Sequence, residues 1–126
     1  MRSAVLVLVA VAPAAACGGG GSKLYALPAT ETCLRHQPVQ VSRASRDLRY
    51  FWQTAPNGAL KVSFDGENAL TIDFEQTPDD AKQTQSAYKA GAGTSSPADR
   101  RGNTVLIWSH NPSSSQRATV EGCLSE

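Results

Sequence analysis

The chain has 126 residues, three cysteines, 12 Lys plus Arg against 11 Asp plus Glu, and an apolar fraction of 40%. That length allows one domain at most. A net charge of +1 excludes a general polyanion binder, because neutralising a run of phosphates needs a clear excess of basic residues, and no nucleic-acid partner is expected.

The apolar residues are unevenly spread, with 14 of the 51 in residues 1–17, so the rest of the chain is only about one-third apolar. The opening stretch has a charged start at Arg2, an apolar run from Ala4 to Val11 and a small-residue run from Ala12 to Ala16. This is the pattern of a secretory signal. It is too short for a transmembrane helix, which needs about 20 apolar residues. The sequence Ala14, Ala15, Ala16, Cys17 resembles the lipobox of bacterial lipoproteins, with Ala14 where leucine is usual. The resemblance implies removal of residues 1–16, a diacylglyceryl group on Cys17 and often acylation of the new amino terminus. The other reading of the same residues is an ordinary A-x-A cleavage site with Cys17 as a free thiol. Residues 17–23 then form a Gly-Ser tether, and residues 24–126 a small α+β domain held close to the membrane.

Tyr25 to His36 reads as a first helix with Pro28 in its first turn, and Pro38 stops it. Val39 and Val41 alternate with Gln40 and Ser42 as a short strand. Residues 45–53 place Leu48, Phe51 and Trp52 at helical spacing after Ser45, although three adjacent aromatic residues also suit a strand. Leu60, Val62 and Phe64, then Leu70, Ile72 and Phe74, alternate with polar residues as a hairpin. Phe64 is expected opposite Leu70, Lys61 opposite Asp73, and Asn68 in a left-handed turn. Thr77, Pro78, Asp79 and Asp80 start a helix that runs to about Ala90, with Ala81, Thr84 and Tyr88 inward. Gly91 to Asn103 reads as a polar loop. Val105 to Trp108 is a strand covered on both faces or at its ends, and a last helix, capped by Asn111 or Ser113, runs to Leu124.

Without the terminal helices, the order of elements resembles the ferredoxin-like split βαβ arrangement, a four-stranded antiparallel sheet. The alternative is a plain four-stranded antiparallel sheet backed by three helices. In the first, the terminal helices lie side by side, and Cys33 and Cys123 sit on them. With Cys17 lipidated, these two form an even pair in a compartment that permits disulfides. A sharper reading gathers Cys33, His36, His110 and Cys123 as a metal site, but exported thiols usually oxidise and the second pair lacks zinc-ribbon spacing.

No phosphate-cradling loop, nucleophile elbow or zincin helix is present. No cofactor is implied. Asp73 and Glu75 share a strand face, as two catalytic carboxylates might. Alternating carboxylates on a solvated sheet face are ordinary, however. Ser109 and His110 are adjacent and so point to opposite faces of a strand. Residues 23–61 net +4 and residues 62–80 carry six acids and no base. Arg43, Arg46 and Arg49 beside Tyr50, Phe51 and Trp52 are a candidate contact for anionic headgroups or an envelope partner. The competing reading buries Phe51 and Trp52 and pairs the arginines with the acidic hairpin.

The sequence therefore points to a non-enzymatic lipoprotein on the outer face of a bacterial membrane, binding another envelope component or ligand. An accessory or inhibitory subunit of a membrane complex, and a small hydrolase using Asp73 and Glu75, are the alternatives.

Overall fold

In the computed structural model, which describes residues 23–44, 55–91 and 97–124, the chain folds as α1 (Leu27–Arg35), β1 (Gln40–Arg43), β2 (Ala59–Ser63), β3 (Ala69–Phe74), α2 (Pro78–Gly91), β4 (Ala98–Arg101), β5 (Thr104–Trp108) and α3 (Ser114–Cys123). The five strands form one antiparallel sheet in the order β1-β2-β3-β5-β4. This corrects both four-stranded expectations, the ferredoxin-like one and the plain one. In the ferredoxin-like order the first strand would lie beside the last, whereas here β1 is an edge strand paired with β2, and the Val105–Trp108 strand is interior, between β3 and β4. Residues 45–53 lie outside the described residues, and so does the helix-or-strand question there.

The fifth strand, β4, lies within what reads as a polar loop. Its sequence, Ala-Asp-Arg-Arg, has a single apolar residue, and Ala98 is the one position it buries. As an edge strand it is held by groups that periodicity does not register. Gln85 of α2 donates to the Ala98 carbonyl at 2.7 Å. Asp99 and Arg101, on the opposite face, reach Arg117 and Glu121 of α3 at 2.6 and 3.4 Å. Gly102 and Asn103 close the β4–β5 hairpin, with Arg101 opposite Thr104. Gly102 has φ +51°, the sign that the first central position of a type II′ turn requires.

The β2–β3 hairpin keeps the expected parity but is shifted by two residues. Val62 faces Leu70, Leu60 faces Ile72, and Lys61 faces Thr71 rather than Asp73. The Phe64 N–H donates to the Asn68 carbonyl, leaving Asp65, Gly66 and Glu67 as the loop. Gly66, at φ +98°, supplies the positive φ, and Asn68 does not. The Asn68 side chain is used elsewhere. Its Oδ1 accepts the N–H groups of Ala69 and His110, both at 3.0 Å, and its Nδ2 donates to Gln116 Oε1 at 2.9 Å. One amide thus joins the hairpin to the start of α3.

Helices cover both faces of the sheet. Leu27 and Leu34 of α1 and Val120 of α3, with Leu124 just beyond it, pack on Leu60, Val62, Leu70, Ile72, Phe74, Leu106 and Trp108. Phe64 stacks on Trp108 with ring centroids 5.6 Å apart. On the other face Ala81 and Tyr88 of α2 pack on Val105 and Ile107. All five residues of β5 are buried for that reason, as the continuous apolar run requires.

The helix ends follow local chemistry. Pro28 occupies the first turn of α1. Thr77 Oγ1 accepts the Asp80 N–H at 3.1 Å, with Asp79 and Asp80 at the positive end of the α2 dipole. Ser113 and Gln116 form a reciprocal capping box on α3. Cys33 and Cys123 form a disulfide across α1 and α3, with Cα atoms 5.6 Å apart. The expected bond is present although the topology offered in its support is not. Both helices lie on one face of the sheet, which is the condition that matters. The bond also removes both thiols from the alternative metal site, and among the described residues no group of three or more His, Cys, Asp or Glu is arranged to hold a metal ion.

Candidate functional site

Two ends of the sheet differ in character. At one end lie the start of β2, the end of β3 and the β4–β5 turn. At the other lie the β2–β3 loop and the start of β1.

At the first end, Asn103 is buried and organises the chain around it. Its Oδ1 accepts the Tyr25 N–H at 2.6 Å, and its Nδ2 donates to the carbonyls of Tyr25 and Glu75 at 3.1 and 2.8 Å. Its backbone N–H donates to the Lys23 carbonyl at 3.2 Å, and its carbonyl accepts the Glu75 N–H at 2.8 Å. Gly102 must be glycine beside this hub, since a Cβ there would collide with the Lys23 carbonyl. Asn57 Nδ2 also donates to the Glu75 carbonyl, at 3.2 Å. The entry of the chain into the domain is therefore fixed to the sheet. Replacing Asn103 by alanine strands several of these buried groups at once, and a loss of about 2–3 kcal/mol is expected in urea unfolding.

The carboxylates Asp73 and Glu75 do share a face, but that face is covered rather than solvated. Asp73 is fully buried, flanked across the strands by Ala59 and Val105, and neither carboxylate oxygen has a hydrogen-bond partner. Burial, with the Glu75 charge adding to it, pushes the Asp73 carboxyl up to about 7. Glu75 is buried too and accepts the Thr84 hydroxyl of α2 at 3.1 Å. Burial raises its pKa and the Asp80 charge adds to this, while the Thr84 hydrogen bond opposes it. A cavity of about 310 Å³ beside Glu75 is lined also by Pro56, Gln76, Asp80, Gln83 and Thr84, and Asp73 does not reach it.

At the other end a larger groove, about 560 Å³, runs between residues Gln37–Gln40 and Ser63–Gly66. Pro38, Val39 and Phe64 supply its apolar part, and Phe64 is held in place by Trp108. Asp65 is its charged lining residue, with Glu67 nearby in the loop. The groove leads directly onto the edge strand. Because the Ala44 N–H bonds the Ala59 carbonyl, Ser42 and Gln40 occupy the hydrogen-bonded pairs with β2, and the backbone groups of Val41 and Arg43 point outward. Among the described residues, no strand pairs with that outer edge.

Of the basic and aromatic stretch, Arg43 is described. It reaches Glu31 of α1 at 2.7 Å rather than the acidic hairpin, and Arg35 holds the same carboxylate at 3.0 Å. Hydrogen bonds from Arg43 and then Arg35 lower the Glu31 pKa. Arg46, Arg49, Tyr50 and Trp52 lie outside the described residues. Ser109 and His110 follow β5, and Ser109 Oγ accepts the Ala69 N–H at 2.9 Å, so its place is structural. His36 Nδ1 lies 2.8 Å from the Thr32 carbonyl oxygen at the end of α1.

No known family model, curated protein or solved structure matches the chain. Among the described residues no helix is long and apolar enough to cross a membrane.

The groove is not legible in the sequence. Its parts come from two segments more than 20 residues apart that β1–β2 pairing joins, and the alternation of β2 gave only Phe64 as a clue.

Proposed function

We propose that the chain is an exported bacterial lipoprotein, anchored through Cys17, that acts as a non-enzymatic interaction module for another envelope polypeptide. The observation that carries the binding role is the corner where the groove over Pro38, Val39 and Phe64 meets the outer edge of β1, with which no strand pairs among the described residues. An extended segment of a partner adds to such an edge through its main chain and places alternate side chains in the adjoining groove. Asp65 in the lining, with Glu67 beside it, favours a basic side chain in the partner. The disulfide between Cys33 and Cys123 supports an oxidising compartment and leaves Cys17 as the unpaired cysteine of the three.

Arg43, Arg46, Arg49, Tyr50 and Trp52 are the proposed contact with anionic headgroups. A carboxylate-pair hydrolase is disfavoured because a glycosidic or similar bond must lie between its two carboxyl groups, and Asp73 is sealed from solvent.

A photo-crosslinking residue in place of Gln40, in cells of origin, tests the binding role. A discrete adduct with one envelope polypeptide is expected, weakened by Asp65→Lys and absent when the crosslinker replaces the exposed Ala118 of α3. No adduct from Gln40, or equal adducts from both positions, contradicts it.

A further inference from the structure

We infer that the domain stands on the membrane with the β4–β5 turn end of the sheet against the lipid surface and Leu24 in contact with the interface. The inference rests on the lipid-anchored reading and adds to it an orientation and the residues that touch lipid.

Two observations converge on that end. Five residues, 18–22, separate Cys17 from the first described residue, Lys23, and Lys23 is bonded through its carbonyl to Asn103 in the turn. The tether therefore joins the domain at a fixed point. Second, Leu24 is 64% exposed, the exposed large apolar side chain of the described residues, and it lies between the two residues, Lys23 and Tyr25, that Asn103 holds. Its neighbours cannot withdraw it into the core without breaking the hub.

Lengths decide between this orientation and its inverse. The six Cα–Cα links from Cys17 to Lys23 would span about 13 Å on average for a Gly-rich chain and about 20 Å when fully extended. β3, six residues long, separates the two ends by about 20 Å. Inverting the domain would stretch the tether to its limit and move Leu24 from the interface into water. With the turn end down, Cys17 and Lys23 lie well within the reach of the six links. The groove over Val39 and Phe64 then faces away from the membrane, accessible to a polypeptide partner.

The test uses the mature lipidated protein, isotope-labelled, in nanodiscs of phosphatidylethanolamine and phosphatidylglycerol carrying a gadolinium-chelate lipid. The backbone amides of Leu24, Gly58 and Gly102 should be broadened several-fold more than those of Gly66 and Glu67, and Leu24→Ser should reduce the difference. Equal broadening at both ends, or stronger broadening at Gly66 and Glu67, overturns the orientation. Intact mass of the same sample separates the two claims. An acylated chain with the wrong broadening pattern rejects the orientation alone, whereas a chain without acyl mass rejects the anchor and the orientation with it.

Discussion

Replacing Cys33 and Cys123 together by serine is expected to lower the stability of the domain by about 4–5 kcal/mol, the chain-entropy value for a loop of this size. The bond joins residues 90 apart in sequence, so it constrains nearly the whole unfolded domain. Its effect should be large relative to the total. Leu, Ile, Val and Phe number only 18 in residues 17–126, and small cores of this kind commonly depend on a covalent staple. The bond also holds α1 against α3, and both contribute to the main core. Urea unfolding of the oxidised protein and of the double variant measures the difference. A shift below about 1 kcal/mol would mean that packing of α1 and α3 on the sheet holds them without the bond.

The second large effect concerns pH. Asp73 has a carboxyl of about 7 in the folded protein against 3.8 for the free group. The folded state therefore holds a proton that the unfolded chain has released between these values. Stability is full below about pH 4, falls as pH rises towards 7, and stays low above it, by an amount on the order of 4 kcal/mol. Glu75, whose pKa is also raised, contributes in the same direction. Most proteins lose stability on acidification, so this slope is opposite to the usual one. Asp73→Asn has no charge to bury and should flatten the profile, making the variant more stable than the natural protein at pH 8 and nearly equal to it at pH 4. Urea midpoints across that range decide the matter. A natural protein that becomes more stable from pH 4 to 7, or an asparagine variant no better at pH 8, would contradict the burial of an unpaired carboxyl.

Asp73 also shows where sequence reasoning stopped. Alternation in β3 correctly separates Leu70, Ile72 and Phe74 from Thr71, Asp73 and Glu75, because a period of two fixes the faces. It does not tell whether the second face is wet. The neighbouring run from Val105 to Trp108 carried that information, since a strand apolar at every position has to be covered on both sides, and β5 lies directly beside β3. The same period explains the hairpin register. A shift of two residues leaves every side chain on its own face, so parity admits both pairings, and the loop closure by Phe64 and Asn68 around Gly66 selects one.

β4 was hidden for a different reason. An edge strand of Asp and Arg gains its place from the Gly102–Asn103 turn and from partners on α2 and α3, and none of these contributes to hydrophobic periodicity. The turn dipeptide before an apolar strand was the available signal. The Asn103 hub had no comparable one, because its partners, Lys23, Tyr25 and Glu75, are distant in sequence. The cysteine pairing, by contrast, followed from counting, since assigning Cys17 to lipid left only one pair.

Cys17 is the residue on which the proposed membrane anchor depends. Intact mass of the protein extracted from its own membrane, after thiol alkylation with and without reduction, addresses it directly. The predicted result is a chain beginning at Cys17 that carries at least two acyl chains, with Cys33 and Cys123 alkylated only after reduction. A chain beginning at Cys17 without lipid mass, or one that retains residues 1–16, would contradict it.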